Sequence, residues 1–321
     1  MHKYSNDFKR FLKRFGILVI SLVILDFLIG DILQHYYFKQ KRGPLYRTTY
    51  AIDSTKADML VFGSSRAIHH YVPEVFENKL HTSFNNCGRD ACNLIYSIAI
   101  ISAVLDRFTP KNIVIELNPN EFSVSEEGKL SPLLPYHDNP TIHGFLKYNS
   151  KLENVKLLSR MYPYNSMLVH IIAGDLSLAP ADDNGYMALS GHMDYYPIPD
   201  YKQTAINADR IKLFDQLLSK LKQRNIQTTL VISPIYATFS EPDIQVLEIK
   251  KLVSKYDNVS FFNYENDPDY AHYDFFKDGV HLNQIGANKF SEDLANKLIS
   301  RQQSVAPKSS GNIDGKARDR F

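Results

Sequence analysis

The sequence predicts an α/β domain built on a parallel sheet covered on both faces, preceded by one transmembrane helix. Three observations carry this. The stretch from Phe15 to Leu33 is 19 residues of almost unbroken apolar character, close to the roughly 20 that a helix needs to cross a bilayer core. Short runs such as Asp58-Met-Leu-Val-Phe-Gly63 and Asn112-Ile-Val-Ile-Glu-Leu117 are nearly continuously apolar, as parallel strands buried on both faces are. These runs alternate with helical patterns, the rhythm of α/β architecture.

The elements follow in order. Lys3, Lys9, Arg10, Lys13 and Arg14 precede the apolar run. The positive-inside rule then places residues 1–14 in the cytoplasm, 15–36 as a retained signal anchor in the inner (plasma) membrane, and the rest in the periplasm or outside the cell. Asp26 within the span costs about 2.5–3.5 kcal/mol on insertion scales, and Lys39, Lys41, Arg42 and Arg47 add positive charge on the outer side. No small-x-small cleavage site follows the run, which argues against a removable signal peptide. Residues 37–56 read as a polar linker packing onto the main domain, and residues 57–300 as that domain. Within it come a strand ending at Gly63, a helix over Pro73–Leu80 with Pro in its first turn, a strand over Ser83–Gly88, a helix over Leu94–Arg107 and a strand over Asn112–Leu117.

The rhythm breaks from about 119 to 205, where loops rich in Pro, Asn, Tyr and Asp surround helical pieces near Leu152–Arg160 and Met167–Ile172. So long an insertion in a compact domain is usually functional. Alternation resumes with a helix from Asn207 to Arg224, a strand over Gln227–Ser233, a helix over Pro242–Tyr256, a strand over Val259–Asn263 and a last helix over Gln284–Ser300. Residues 301–321, rich in Ser, Gly, Lys and Asp, read as a disordered tail.

Composition narrows the function. With 37 Lys+Arg against 35 Asp+Glu, nothing points to nucleic acid as a partner. The two cysteines, Cys87 and Cys92, do not read as a metal site; outside the cytoplasm they could pair, or equally stand as two buried thiols. No metal or cofactor is expected.

Two segments carry candidate chemistry. Val61-Phe62-Gly63-Ser64-Ser65-Arg66 puts a tight turn and two hydroxyls at the carboxyl edge of a parallel sheet, where open α/β sheets bind ligands. The following helix N-terminus can offer N–H groups to an oxyanion. Near the other end, Asp278-Gly-Val-His281 allows the carboxylate to hold imidazole Nδ1–H while Nε2 faces a nucleophile. His69 and His70 read as structural or rim residues. Arg66 could meet an anionic substrate, and Tyr186, His192, Tyr195 and Tyr196 of the insertion could stack on sugar rings.

Together these residues resemble the SGNH (GDSL-like) hydrolase superfamily. Gly63-Ser64-Ser65 matches the first block, with Ser64 in place of the usual Asp, as in membrane-anchored branches that resemble the alginate O-acetylation and D-alanyl transfer proteins. Gly88 matches the second block. Asn118-Pro119-Asn120-Glu121 stands where Gly-x-Asn-Asp is usual, with Asn120 the positional match and Asn118 its rival. Asp278 and His281 match the fourth, followed by the similar Leu282, Asn283 and Gly286. The resemblance covers about residues 57–300 without most of the insertion.

It implies a three-layer, flavodoxin-like α/β/α sandwich and a serine mechanism. Ser65 would be the nucleophile, His281 the general base and then acid, and Asp278 its orienting carboxylate. Ser65, Gly88 and Asn120 would form the oxyanion hole. The expected activity is an esterase or O-acyltransferase, moving a small acyl group such as acetyl on an exported or cell-surface glycan. Transfer would need a separate multi-span membrane protein to deliver the acyl group. The competing reading is a catalytically inactive scaffold of the same fold that binds glycan or organises an envelope assembly.

Overall fold

The computed structural model describes residues 2–123, 130–176, 184–239 and 243–305. Its centre is a five-stranded, wholly parallel sheet of β1 (Met59–Phe62), β2 (Phe84–Asn86), β3 (Asn112–Glu116), β5 (Gln227–Ile232) and β7 (Val259–Asn263), in the order β2-β1-β3-β5-β7. Two further short strands, β4 (Asp200–Tyr201) and β6 (Thr238–Phe239), pair beside it.

Alternation along each strand divides the apolar runs between two cores. Leu60 and Phe62, Ile113 and Ile115, and Leu230 and Ile232 face one side. Met59 and Val61, Val114, and Val231 face the other. The first core is closed by α2 (Gly43–Asp53), α5 (Leu94–Arg107), α9 (Ala208–Gln223) and α10 (Ile244–Val253). The second is closed by α3 (Ser65–His70), α4 (Pro73–Leu80) and α11 (Gln284–Val305). The helices begin where side chains can satisfy free amides. Asn93 accepts from Ile95 and Tyr96 N–H to start α5, Asn207 caps α9, and Asp243 accepts from Val246 N–H to start α10.

The N-terminal helix α1 (His2–Phe38) is long and apolar enough to cross a membrane over Asn6–Phe38. After it, the segment expected as a linker is helical. Leu45, Ala51 and Ile52 of α2 are buried in the first core, and Thr48 Oγ bonds Tyr96 Oη at 3.0 Å. Helix α11 runs on to Val305, past the expected end of the domain at 300. The remainder of the expected tail lies outside the described residues.

The insertion closes at an antiparallel bridge between Ser123 and Ile206. Its first part holds α6 (Pro140–Leu146), α7 (Glu153–Lys156) and α8 (Leu168–Asp175), packed against α5 and α1. Its second part runs along the carboxyl edge of the sheet. Asn86 N–H donates to Asn184 O, Met187 N–H to Ile68 O, and Met193 N–H to Phe276 O. The insertion therefore borders the edge where the candidate residues lie.

Candidate active site

Ser65 opens α3 directly after β1. The turn between them requires Gly63: its φ is +152°, and a Cβ there would lie 2.8 Å from Glu116 Cβ and 2.9 Å from Glu116 O. Glycine lets the ends of β1 and β3 close together, and the next residues swing up to the sheet edge.

Asp278 and His281 reach the same place from 216 residues away. His281 Nε2 stands 2.7 Å from Ser65 Oγ. Its Nδ1 lies 2.9 Å from Asp278 Oδ2 and 3.0 Å from Oδ1. With Nδ1–H given to the carboxylate, Nε2 is the acceptor for the serine hydroxyl. Asp278 Oδ1 also accepts the Val280 and His281 N–H groups, each at 2.9 Å, so the four-residue turn is held by its own carboxylate. Desolvation pushes the Asp278 carboxyl up, but the His281 bond and these amides outweigh it and hold it below its ordinary value.

A buried polar network supports this turn. His70 is fully buried; its Nε2 accepts the Leu282 N–H at 2.9 Å and its Nδ1–H donates to Ser233 Oγ at 2.7 Å. Ser233 Oγ in turn donates to Glu116 Oε1 at 2.8 Å. Arg66 pairs with the same carboxylate at 2.5 Å and bonds Ser233 O at 2.7 Å. The Tyr71 hydroxyl donates to the other Glu116 oxygen. Burial depresses the His70 pKa well below its ordinary value, with Arg66, His281 and His69 adding to the effect, so the ring stays neutral. Burial raises the Glu116 pKa despite the Arg66 charge beside it.

Of the two roles open to Arg66, substrate contact or an ion pair, the structure shows the ion pair: its side chain lies 3% exposed against Glu116, because a guanidinium this deep needs a counter-charge and several acceptors. Tyr186, a candidate for either sugar stacking or internal packing of the insertion, is buried in the second core. His192 is exposed at the rim, its ring edge-on to Tyr273. Tyr195 packs on Tyr273 and Tyr196 on Tyr236.

The oxyanion candidates fall unequally. The Ser65 N–H sits at the first position of α3. The Gly88 N–H donates to Asn86 Oδ1 at 3.0 Å, and Asn86 Nδ2 holds Ala67 O at 2.6 Å. Asn120 turns to the insertion: its Nδ2 donates to Lys202 O and its Oδ1 accepts from Thr204 Oγ1. Asn118 is the residue joined to the neighbour of Ser65, accepting the Ser64 hydroxyl at 3.1 Å on Oδ1. It is clamped by Glu121, which accepts its backbone and side-chain N–H groups at 2.8 Å, and by Gln245 on its carbonyl. Glu121 also accepts the Leu94 N–H, tying this loop to the start of α5.

His69 packs edge-on to His281 with ring centroids 5.5 Å apart, and its Nδ1–H donates to Met187 O. Beside Asn86 opens a cavity of about 440 Å³ lined by Lys41, Arg42, Tyr46, Arg47 and Tyr50. Cys87 and Cys92 are buried thiols not joined in a disulfide, and burial pushes Cys87 up to about 12. Among the described residues, no group of three His, Cys, Asp or Glu side chains is placed to hold a metal ion.

Sequence reasoning did not single out Glu116 and Ser233. Their signal was a lone carboxylate and a lone hydroxyl directly after the apolar runs Ile113–Ile115 and Leu230–Ile232. Such polar groups are buried only when partnered.

No family model matches the chain, and none of the curated proteins matches it. Among solved structures, it is similar to a Streptococcus pneumonia protein assigned as a platelet activating factor, at 12% identity and a TM-score of 0.42 over 88% of this chain and 96% of that one. It is also similar to a Bacteroides fragilis protein assigned as an acylhydrolase, at 11% identity and 0.37 over 83% and 93%. An acetyl xylan esterase, AlAXEase, matches at 13% identity and 0.36 over 76% and 98%. Likeness at this level says nothing of substrate.

Proposed function

We propose that the protein is a membrane-anchored serine esterase or O-acyltransferase that acts on a small acyl ester of an exported or cell-surface glycan. The observation that supports it most is the continuous hydrogen-bonded row Ser65–His281–Asp278 at the carboxyl edge of the sheet. Each member has the partner its role needs. Ser65 Oγ attacks the ester carbonyl and its proton passes to His281 Nε2. Asp278 holds the ring and balances the imidazolium charge. Collapse of the tetrahedral intermediate sends the proton to the departing alcohol oxygen and leaves Ser65 acylated. Water or a sugar hydroxyl then gives its proton to His281 and takes the acyl group, regenerating Ser65.

The Ser65 N–H, at the first position of α3, is the oxyanion donor of the first block, and Gly88 joins it by sharing or leaving Asn86 Oδ1; Asn118 turns its Oδ1 to Ser64 and its N–H groups to Glu121, and positions the turn. The basic, aromatic cavity beside Asn86 offers the sugar a place next to the reacting ester. The acceptor decides between hydrolysis and transfer, and transfer needs a separate multi-span protein to supply the acyl group. Helix α1 is the anchor, with the domain on the periplasmic or outer side.

One observation favours an inactive glycan-binding scaffold instead: the Gly88 N–H is already engaged by Asn86. Ser65→Ala separates the two readings. The enzyme reading expects Ser65-dependent release of acetate from p-nitrophenyl acetate or an acetylated glycan, and fluorophosphonate labelling of wild type alone. Wild-type protein that neither turns over nor labels would favour the scaffold. Protease added to spheroplasts should cleave within residues 57–300 if the orientation is right.

A further inference from the structure

Helix α1 does not stand apart from the domain. The Asp26 carboxylate accepts the Ser159 hydroxyl at 2.6 Å and the Arg160 and Met161 N–H groups at 2.8 and 3.3 Å. At Gly30 the helix backbone comes so close to Arg160 that an added Cβ would lie 2.4 Å from its Cβ. The Arg160 guanidinium lies over the Phe27 ring at 5.8 Å and 3.8 Å from Asp31. Higher up, Gln40 Nε2 donates to Ile171 O at 2.8 Å. The segment 159–171 therefore climbs along α1 from Asp26 to Gln40.

Helix geometry sets the depth of these contacts. From Arg14, the last basic residue before the apolar run, to Asp26 is about 18 Å at 1.5 Å per residue. In a hydrocarbon layer about 30 Å thick, Asp26 then lies about 12 Å inside the outer boundary, while Phe38, the last residue of α1, lies about 6 Å beyond it, with Gln40 just past the helix end. Whatever binds Asp26 must lie at the same depth. The side chains around that contact suit this placement: Leu152, Val155, Leu158, Leu168, Val169 and Ile172 are all exposed, Leu158 and Val169 at 77% each. A patch of this kind facing water is unusual for a soluble surface.

We propose that residues 152–172 form a foot embedded in the outer leaflet, packed on α1 and facing lipid acyl chains. The inference rests on the reading of α1 as a membrane span. The two elements satisfy each other. Irregular backbone at membrane depth is tolerated only where its N–H groups are partnered, and Asp26 supplies acceptors for Arg160 and Met161. A carboxylate in the span is costly, and Ser159, Arg160 and Met161 supply its donors. Lipid is the occupant because the apolar surface is continuous with the lipid-facing flank of α1, where Ile20, Leu22, Leu25 and Leu28 are likewise exposed. Leu158, next to the Asp26 contact, is the deep tip, and Val169 lies nearer the headgroups.

The test is site-directed spin labelling of the full chain in phosphatidylcholine/phosphatidylglycerol vesicles, reading collision with oxygen against a nickel chelate. Labels are placed by Ile20→Cys, Leu158→Cys, Val169→Cys and Lys212→Cys; each site is exposed, so the core is untouched, and the native cysteines are buried. The expected result is loss of nickel collision at Leu158 as complete as at Ile20, partial loss at Val169, and none at Lys212. Nickel collision at Leu158 matching Lys212, with Ile20 shielded, overturns the foot and leaves the anchor standing. Shielding of Leu158 from both reagents overturns lipid as the occupant in favour of a protein contact. Water-like collision at Ile20 overturns the anchor, and the foot with it.

Discussion

His70→Leu tests whether the turn carrying His281, the proposed general base, is held from beneath. The wild-type imidazole is fully buried and presents a lone pair on Nε2 to the Leu282 N–H, one residue from His281. Leucine fills much of the space but offers no acceptor, so that amide is left buried and unpaired. The cost is about 1–3 kcal/mol of stability. Ser233 Oγ keeps Glu116 and Arg66, so the remainder of the network survives. Loosening the turn moves His281 relative to Ser65, and errors approaching 1 Å cost up to about a hundredfold in rate. The loss should fall on kcat with KM little changed.

A pH signature separates this from simple packing loss. The rings of His281 and Phe290 and the Arg66 charge surround His70, and its folded pKa is depressed. The unfolded chain therefore binds a proton that the fold rejects. The resulting stability is complete above the ordinary histidine pKa of about 6.5 and is lost as pH falls below it, by about 1.4 kcal/mol per unit at most. Urea unfolding in detergent micelles, followed by tyrosine fluorescence since the chain lacks Trp, should show this slope in wild type and a flatter one in His70→Leu. Equal slopes, or an unchanged kcat, would refute the positioning role.

Asp278→Asn keeps the turn's shape but offers His281 Nδ1 a poorer partner; kcat on p-nitrophenyl acetate should drop about 10³–10⁴-fold with the protein still folded. Glu116→Gln leaves Arg66 buried without its counter-charge and should cost about 3–5 kcal/mol in urea unfolding, whereas Arg66→Met combined with Glu116→Leu should recover much of that.

The sheet was legible because strands covered on both faces carry unbroken apolar runs, as Met59–Phe62, Ile113–Ile115 and Leu230–Ile232 do. The Asp278–His281 pair was legible because its geometry is local, fixed by a spacing of three. The network beneath it was not. Arg66, His70, Glu116 and Ser233 lie up to 167 residues apart, and a lone Arg or His carries no sign of which distant strand end will neutralise it. Helix α2 was hidden by its setting: it follows the basic Lys39, Lys41 and Arg42 and opens with Gly43-Pro44, while Leu45, Thr48, Ala51 and Ile52 recur on one buried face. In the third block, spacing favoured Asn120, but the Glu121 and Gln245 clamps fix Asn118 beside Ser64.

Arg89 joins two parts of the chain that the sequence keeps separate. Its backbone N–H donates to Gly63 O at 3.0 Å, two residues before Ser65, while its guanidinium grips Pro44 O at the start of α2. A bending force on the stalk would be transmitted to the nucleophile's turn rather than absorbed in a hinge. A chain begun at residue 57, the natural cut for a soluble version, would strip Arg89 of that grip and open the first core. Helix α2 is thus part of the frame that holds the Ser65 turn, and removing it changes the support of that turn.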